Sequence, residues 1–337
     1  MTSSDEFRVG LLGVGAIAQV VHLPILHQMP GVRVITVCDV DQPKAKAICA
    51  RFGIERVARN DDEVFAADDL DAVVIATPSH LHESQAIAAL ESGKHVLIEK
   101  PLAIQPDAAE RVIKAAERAG KTLMVAMNNR YRPDTAALKP FATGGELGNI
   151  FLARGAWLNR KMRVVRPTWR HKLATAGGGA LIDLGVQTLD LAMWMLNFPK
   201  VKSVICHTHA GENMEVEDTA AVILRLESGS AISVSLSWSL VAERDRHYMR
   251  LLGTRGSGSI QPLAVFKEID HGVLDVTPQI PATHENIYTA SYRAELEDFV
   301  ATAKGEKEVP PPRDQVELMR LVHLAYQSAR EQREVEA

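Results

Sequence analysis

"RVGLLGVGAIAQVVHLPIL", residues 8–26, decides the fold. Its apolar run from Val9 to Leu12 reads as a buried strand, and glycines follow at once. Gly13, Gly15 and Ala18 fit the pattern G-x-G-x-x-G/A. In that pattern the first glycine permits a tight turn and the second lets a pyrophosphate approach the backbone. The third small residue lets the helix pack closely on the strand. The helix N-terminus then offers N–H groups and a positive dipole end to phosphates. Gly13, Gly15, Ala16 and Ile17 are therefore the candidate phosphate cradle. Pro24 is expected to end or bend this helix.

A glycine pattern alone is weak, and its surroundings strengthen it here. "VRVITVCD", residues 32–39, reads as a second strand after one helix and ends in Asp39. An acid at that spacing accepts hydrogen bonds from ribose hydroxyls. It also repels a 2′-phosphate, no arginine sits beside it in sequence, and Asp41 adds negative charge. NAD is favoured over NADP. The other reading of Asp39 is a loop acid that caps the next helix.

The alternation continues. "DAVVIATPSHLHESQAIAALESG" (71–93) gives a strand, a loop and a helix, with Ser79 as its N-cap. "KHVLIEKP" (94–101) is the next strand, "DAAERVIKAAERAG" (107–120) a helix and "KTLMVAMNNRYRP" (121–133) another strand. Strands alternating with helices predict a doubly wound parallel sheet, in which ligands bind beyond the carboxyl ends of the strands. Segments 13–18, 76–82, 99–101 and 128–132 sit at such ends. Thr77, Pro78, Glu99, Lys100, Asn128 and Arg130 are thus expected around the cofactor. His80 and His82 lack a third ligand nearby and read as an exposed loop and helix start rather than a metal site.

A chain of 337 residues suggests two domains, with the break expected at 128/129 and the closing helices able to pack back on the first domain. A net charge of −4 gives no sign of a nucleic-acid or membrane-surface partner. Cys38, Cys49 and Cys206 are too few and too scattered for a disulfide framework or a zinc site. "MTSSDEF" lacks the features of a signal peptide, and no apolar stretch is long enough to span a bilayer. A soluble cytoplasmic protein is expected.

From about residue 129 the pattern changes. Between Leu147 and Ile182 there is no acidic residue, while Arg154, Arg160, Lys161, Arg163, Arg166, Arg170 and Lys172 fall in that window. Such an imbalance steers an anionic or polyhydroxylated ligand, or else its charges pair with another subunit. Trp157 and Trp169 offer an apolar wall for a sugar ring, or belong to a core or interface. In "GGGALIDLGVQTLDLAMWML" (177–196), Asp183, Gln187 and Asp190 fall at i, i+4 and i+7 and so share one helical face. "AISVSLSWSL" (231–240) alternates, with Ile232, Val234, Leu236, Trp238 and Leu240 on one face and serines on the other. A flat serine face is suited to packing against a second copy's sheet.

Together these residues resemble the Gfo/Idh/MocA family, the glucose–fructose oxidoreductase and inositol dehydrogenase group. The likeness rests on "GVGAIA", "ATPSHLH", "EKPLA", "GGGALIDLGVQTLD", "VEDTA" followed by "SGSAISVSLSW", "LLGTRGS" and the closing helical pair, and covers nearly the whole chain. It implies a Rossmann domain followed by an α/β domain with a large open, mostly antiparallel sheet. It also implies NAD(P)-dependent oxidation or reduction of a secondary alcohol of a sugar, sugar acid or cyclitol, and a homodimer or homotetramer formed through the sheet. The cofactor set becomes Gly13, Gly15, Ala16, Ile17, Asp39, Thr77, Pro78, His82, Glu99, Lys100 and Asn128. The substrate set becomes Arg130, Trp157, Arg160, Arg163, Trp169, Arg170, Asp183 and Gln187, with no metal.

Lys100 matches the family's E-K-P lysine. It is expected to exchange a proton with the alcohol as hydride leaves the carbon, with Glu99 orienting it. Asp183 matches the substrate-side aspartate. Gln187 departs from the pattern, because members like inositol dehydrogenase carry histidine there. Glutamine holds a hydroxyl or carbonyl by hydrogen bonds but exchanges no proton near neutrality. Two other readings stay open: a non-catalytic NAD-binding sensor, and an NAD-dependent glycoside hydrolase or lyase using transient oxidation.

Overall fold

The computed structural model describes residues 6–161, 168–212, 214–270, 272–281 and 285–337, so Arg163 and Arg166 lie outside the described residues. The chain divides into two compact units, one of residues 1–128 and 288–316 and the other of residues 129–287 and 317–337.

The first unit is built on six parallel strands: β1 (Phe7–Leu12), β2 (Val32–Cys38), β3 (Arg56–Ala58), β4 (Ala72–Ile75), β5 (His95–Glu99) and β6 (Leu123–Ala126). Their spatial order is β3-β2-β1-β4-β5-β6. The order reverses between β1 and β4, which opens a crevice at the strands' carboxyl ends. Ala72, Val73, Val74 and Ile75 are fully buried, which accounts for their unbroken apolar run. Leu296 and Phe299 of the helix Ile287–Ala303 join the core formed by Leu11, Val37, Val74 and Leu97.

Several local features differ from the sequence reading. Pro24 does not end its helix, which runs on to Gln28. The turn just before it, Ala18–His22, is π-helical, and the Leu23 N–H bonds to the Ala18 carbonyl five residues back. Proline has no N–H to give to the fourth residue back, and the wider turn accommodates that loss. Ser79 does not cap the following helix. It starts a short 3-10 turn, and the helix begins at His82 without a side-chain cap. The last strand of this sheet covers only Leu123–Ala126, and residues 128–131 form a 3-10 turn. The helix Gln42–Phe52 is capped by Asp41, which accepts from the Lys44 N–H at 3.0 Å, and not by Asp39.

The second unit holds nine strands: β7 (Ile150–Arg160), β8 (Val201–His209), β9 (Thr219–Leu226), β10 (Ala231–Leu240), β11 (Arg246–Gly253), β12 (Gly256–Ile260), β13 (Ala264–Ile269), β14 (Gly272–Asp275) and β15 (Val335–Glu336). Their order is β14-β13-β12-β11-β7-β10-β9-β8-β15, and every pair is antiparallel except β7 with β10. In β10 the alternation holds through Leu236 and then fails. Ser237 is buried, Trp238 is only half-buried, and the pairing with β7 shifts register after Ser237. That irregularity reverses which face the following residues present.

A helix packs on β7 and β10 of this sheet. Its first turn, Leu181–Gly185, is π-helical, and the Val186 N–H bonds to the Leu181 carbonyl. It continues as an α-helix over Val186–Met195. Thr188 approaches β7 so closely at Gly155 that an added Cβ there would lie 2.8 Å from its methyl group.

Candidate active site

The candidate nucleotide site is assembled from the ends of five strands of the first unit, β1, β2, β4, β5 and β6. Gly13 has φ +86°, and an added Cβ would lie 2.6 Å from the Ala76 carbonyl oxygen. Packing against the end of β4 therefore requires glycine there. At Gly15 an added Cβ would meet nothing within 4 Å. The protein gives no packing reason for glycine at 15, and the open space suits a pyrophosphate approaching the start of the helix. Asp39, at the end of β2, ties the glycine turn down by accepting from the Val14 N–H at 2.8 Å through Oδ2. Its Oδ1 accepts from the Asp41 N–H at 2.8 Å and lies 3.1 Å from Lys44 Nζ. Oδ2 keeps lone-pair capacity for a ribose hydroxyl. The residues present thus fit a dinucleotide.

The ends of β4 and β5 are joined by one ring. His82 is 1 % exposed, with Nδ1 2.7 Å from the Pro101 carbonyl oxygen and Nε2 2.9 Å from that of Thr77. This corrects its reading as an exposed helix start. His82 bridges the Thr77–Pro78 loop and the loop that follows Lys100. The Thr77 hydroxyl donates to Gln85 Oε1 at 2.5 Å, and Gln85 Nε2 donates to Asp61 Oδ2 at 2.5 Å. Asp61 also accepts from Cys38, whose thiol is pushed up to about 12 by burial and the Asp61 charge and so stays protonated.

Glu99 does not stand alone beside Lys100. His22, wholly buried in the helix behind the glycine turn, places Nε2 2.8 Å from Glu99 Oε1. Burial pushes the Glu99 carboxyl up, but the His22 hydrogen bond and charge, then the Lys100 charge, outweigh it. The group is held below the ordinary carboxylate range and stays ionised at neutral pH. Tyr292 meets the His22 ring edge-on with centroids 6.0 Å apart, and its phenol is kept neutral by burial and by the Glu99 charge. Asn128 donates to Ser291 Oγ at 2.9 Å, which fixes the end of β6 to the helix Ile287–Ala303.

The other candidate residues described lie in the second unit. Asp183 is partly exposed, with Oδ1 4.0 Å from Arg170 Nε. The Arg170 guanidinium in turn lies 4.6 Å from the centre of the Trp169 ring. Gln187 is buried, and its Oε1 accepts from Asn129 Nδ2 at 3.3 Å. Asp190 is 1 % exposed and takes both nitrogens of Arg130, at 2.8 and 2.5 Å, so it serves that pair rather than an open face. Arg130, expected near the ligand, is thereby committed to Asp190. Arg160 is similarly engaged: its backbone N–H donates to Asp245 at 2.7 Å and its guanidinium to the Glu243 carbonyl at 3.2 Å. Trp157 packs on the His247 ring with centroids 4.5 Å apart.

His82, His95 and His247 all resist protonation. Burial lowers each, and His247 reaches about 4 with the help of the Arg132 charge. The unfolded chain takes up these protons first. Stability is therefore full above the ordinary histidine range, and falls as pH drops from about 6.5 toward about 4. His247 contributes up to about 3 kcal/mol of that loss. Urea unfolding across this range should show the decline, and His247→Phe should flatten it. An unchanged slope in the variant counts against the assignment.

Among the described residues no group of three or more His, Cys, Asp or Glu is arranged to hold a metal ion, and no helix is long and apolar enough to cross a membrane. His22, Gln85 and Asp61, which bond to the candidate residues, are not singled out from the sequence; at His22 the signal is a polar residue at an apolar helical position.

Comparison with known proteins agrees with this architecture. Residues 7–127 match the model of an oxidoreductase family with an NAD-binding Rossmann fold, and residues 143–337 match the C-terminal alpha/beta domain of the same family. A D-glucoside 3-dehydrogenase of Escherichia coli (strain K12) is 28 % identical over 98 % of this chain and 97 % of its own length. An inositol 2-dehydrogenase of Rhizobium meliloti (strain 1021) is 26 % identical over 97 % of this chain and 98 % of its own. The crystal structure of GenD2 from gentamicin A biosynthesis, in complex with NAD, superposes with a TM-score of 0.87 at 27 % identity, covering 100 % of this chain and 98 % of that one. With both family domains matched in order, the chain belongs to the Gfo/Idh/MocA oxidoreductases, enzymes whose Rossmann domain binds NAD.

Proposed function

We propose that this oxidoreductase acts on the secondary hydroxyl, or the matching ketone, of a sugar, sugar acid or cyclitol. The observation that carries the reading is Asp183 on its π turn beside Arg170 and Trp169, a carboxylate, a cation and an aromatic face held together. Such a set suits a polyhydroxylated ring, and a carboxylate or phosphate on that ring has Arg170 to meet. Related proteins named as glucoside and inositol dehydrogenases point to the same substrate class.

NAD, when bound, would supply the hydride acceptor for the carbinol carbon. Gly13, Gly15, Ala16 and Ile17 would hold its pyrophosphate, Asp39 a ribose, and Thr77, Pro78 and Asn128 would line the remainder, with His82 positioning the loops. Lys100 takes the hydroxyl proton, and the ionised Glu99 fixed by His22 stabilises the lysine's charge. Asp183 and Gln187 hold neighbouring hydroxyls. The amide of Gln187 is already oriented by Asn129, which suits a hydrogen-bonding role and no proton transfer.

The test is absorbance of NADH with purified protein, NAD and a panel of D-glucose, a methyl D-glucoside, D-glucuronate, D-glucose 6-phosphate and myo-inositol. A rise with a subset names the substrate class. NAD binding without any rise would move weight to a sensor or to internal redox chemistry.

Two copies are proposed to pack through the nine-stranded sheet. A row runs across it from Ile205 through Ile223, Ser233 and Arg154 to Arg250, and both isoleucines are exposed. Ile223→Lys should shift light-scattering mass to that of one chain. A wild-type mass of one chain would end the proposal.

A further inference from the structure

We propose that Glu217, which no motif reading assigned, is a positioning residue that sets where Asp183 is presented. The inference rests on the reading of Asp183 as a substrate contact.

Glu217 lies just before β9 and receives the turn that leads into the Asp183 helix. Its Oε2 accepts from the Gly179 N–H at 3.0 Å, and its Oε1 from the Leu181 N–H at 2.9 Å. Its backbone carbonyl accepts from the Ala180 N–H at 2.9 Å. Three successive backbone donors thus converge on one residue. The Gly179 carbonyl then accepts from the Asp183 N–H at 3.0 Å. Two hydrogen bonds therefore link the Glu217 carboxylate to the Asp183 backbone.

The fit leaves no slack. An added Cβ at Gly179 would collide with the Glu217 carbonyl oxygen, and one at Gly178 with the Tyr326 hydroxyl. Both glycines are explained by this approach. Tyr326 donates to Glu217 Oε1 at 2.8 Å, and burial together with the Glu217 charge keeps its phenol protonated for that purpose. A carboxylate at the start of a helix also interacts favourably with the helix dipole. The helix could be capped by any short acceptor. The use of a residue just before β9 instead ties the turn, and Asp183 with it, to the start of that strand.

Glu217→Gln offers an amide, which loses the charge and cannot accept equally through both side-chain atoms. Hydrogen exchange followed by mass spectrometry should show at least tenfold faster exchange over residues 179–185, with the glycine turn at 13–18 unchanged. In the same variant the KM of whichever panel compound is turned over should rise tenfold or more, while the NAD Kd stays within twofold. Tyr326→Phe should move both readings in the same direction by less, and it guards against a Glu217 variant that fails to fold. Unchanged exchange over 179–185 in both variants overturns the inference. Asp183→Asn separates the two readings: an unaltered KM there overturns Asp183 as the substrate contact, whereas a raised KM with a normal Glu217→Gln enzyme overturns Glu217 alone.

Discussion

Lys100→Met is expected to lower kcat by about two to four orders of magnitude, the usual contribution of a positioned acid–base group. Methionine keeps a flexible apolar stem and removes the ammonium, so the change isolates proton transfer from packing. The surroundings that hold the cofactor are anchored mainly by other groups. Glu99 is anchored by His22, the loop after Lys100 by His82, and Thr77 by Gln85. NAD affinity measured by calorimetry should therefore stay within about threefold, against the far larger fall in turnover. Near-wild-type turnover would remove Lys100 from the chemistry. It would turn attention to His171, whose Nδ1 accepts from the Thr168 N–H at 3.1 Å, or to Tyr131.

The glycine turn gives the second large effect, through a contrast between neighbours. Gly13→Ala forces a side chain into positive φ and toward the Ala76 carbonyl at 2.6 Å. Backbone strain and overpacking together should destabilise the first unit by roughly 3 kcal/mol or more, read by urea unfolding. Gly15→Ala meets no neighbour, so stability should change by less than about 0.5 kcal/mol. Its effect should fall on NAD binding, weakened tenfold or more because the methyl group occupies the pyrophosphate approach. If Gly15→Ala binds NAD as well as the parent, residues 13–18 do not form the phosphate cradle.

Much of the first unit is legible because its signals are local. The glycine turn, the apolar runs of β1, β4 and β5 and the acid ending β2 each need only a short window of sequence. What the window hides is pairing across distance. His22 and Glu99 are 77 residues apart in sequence, and Asp61 and Gln85 are 24 apart. The cation-rich stretch between 147 and 182 looked unbalanced because its partners lie elsewhere. Asp245, 3.4 Å from the Arg160 guanidinium, comes from the loop before β11, and Asp183 lies just past the stretch. Composition counted those charges and could not match them. Asp190 is a related case: helical spacing places it with Asp183 and Gln187, yet burial with Arg130 gives it a structural partner. In β10, strict alternation predicted the faces until the register shift after Ser237, which depends on β7 and not on β10 itself. The substrate-side aspartate and Lys100 were reached through resemblance. Periodicity alone marks Asp183 only as one polar position among three.

The two π turns, Ala18–His22 and Leu181–Gly185, make chain length a tightly constrained variable. Each packs one residue more into its turn than an α-helix would. Losing a single residue from 181–185 would let the helix revert to regular winding. Every side chain on one flank would then rotate by about 100° relative to the other. Asp183 could no longer keep its setting while Gln187 faced Asn129 and Asp190 faced Arg130. Drift in this segment is thus channelled toward substitution and away from deletion. A substitution at 187, unlike a deletion, leaves the phase of the helix undisturbed, so the group offered there can change while the scaffold around it stays fixed.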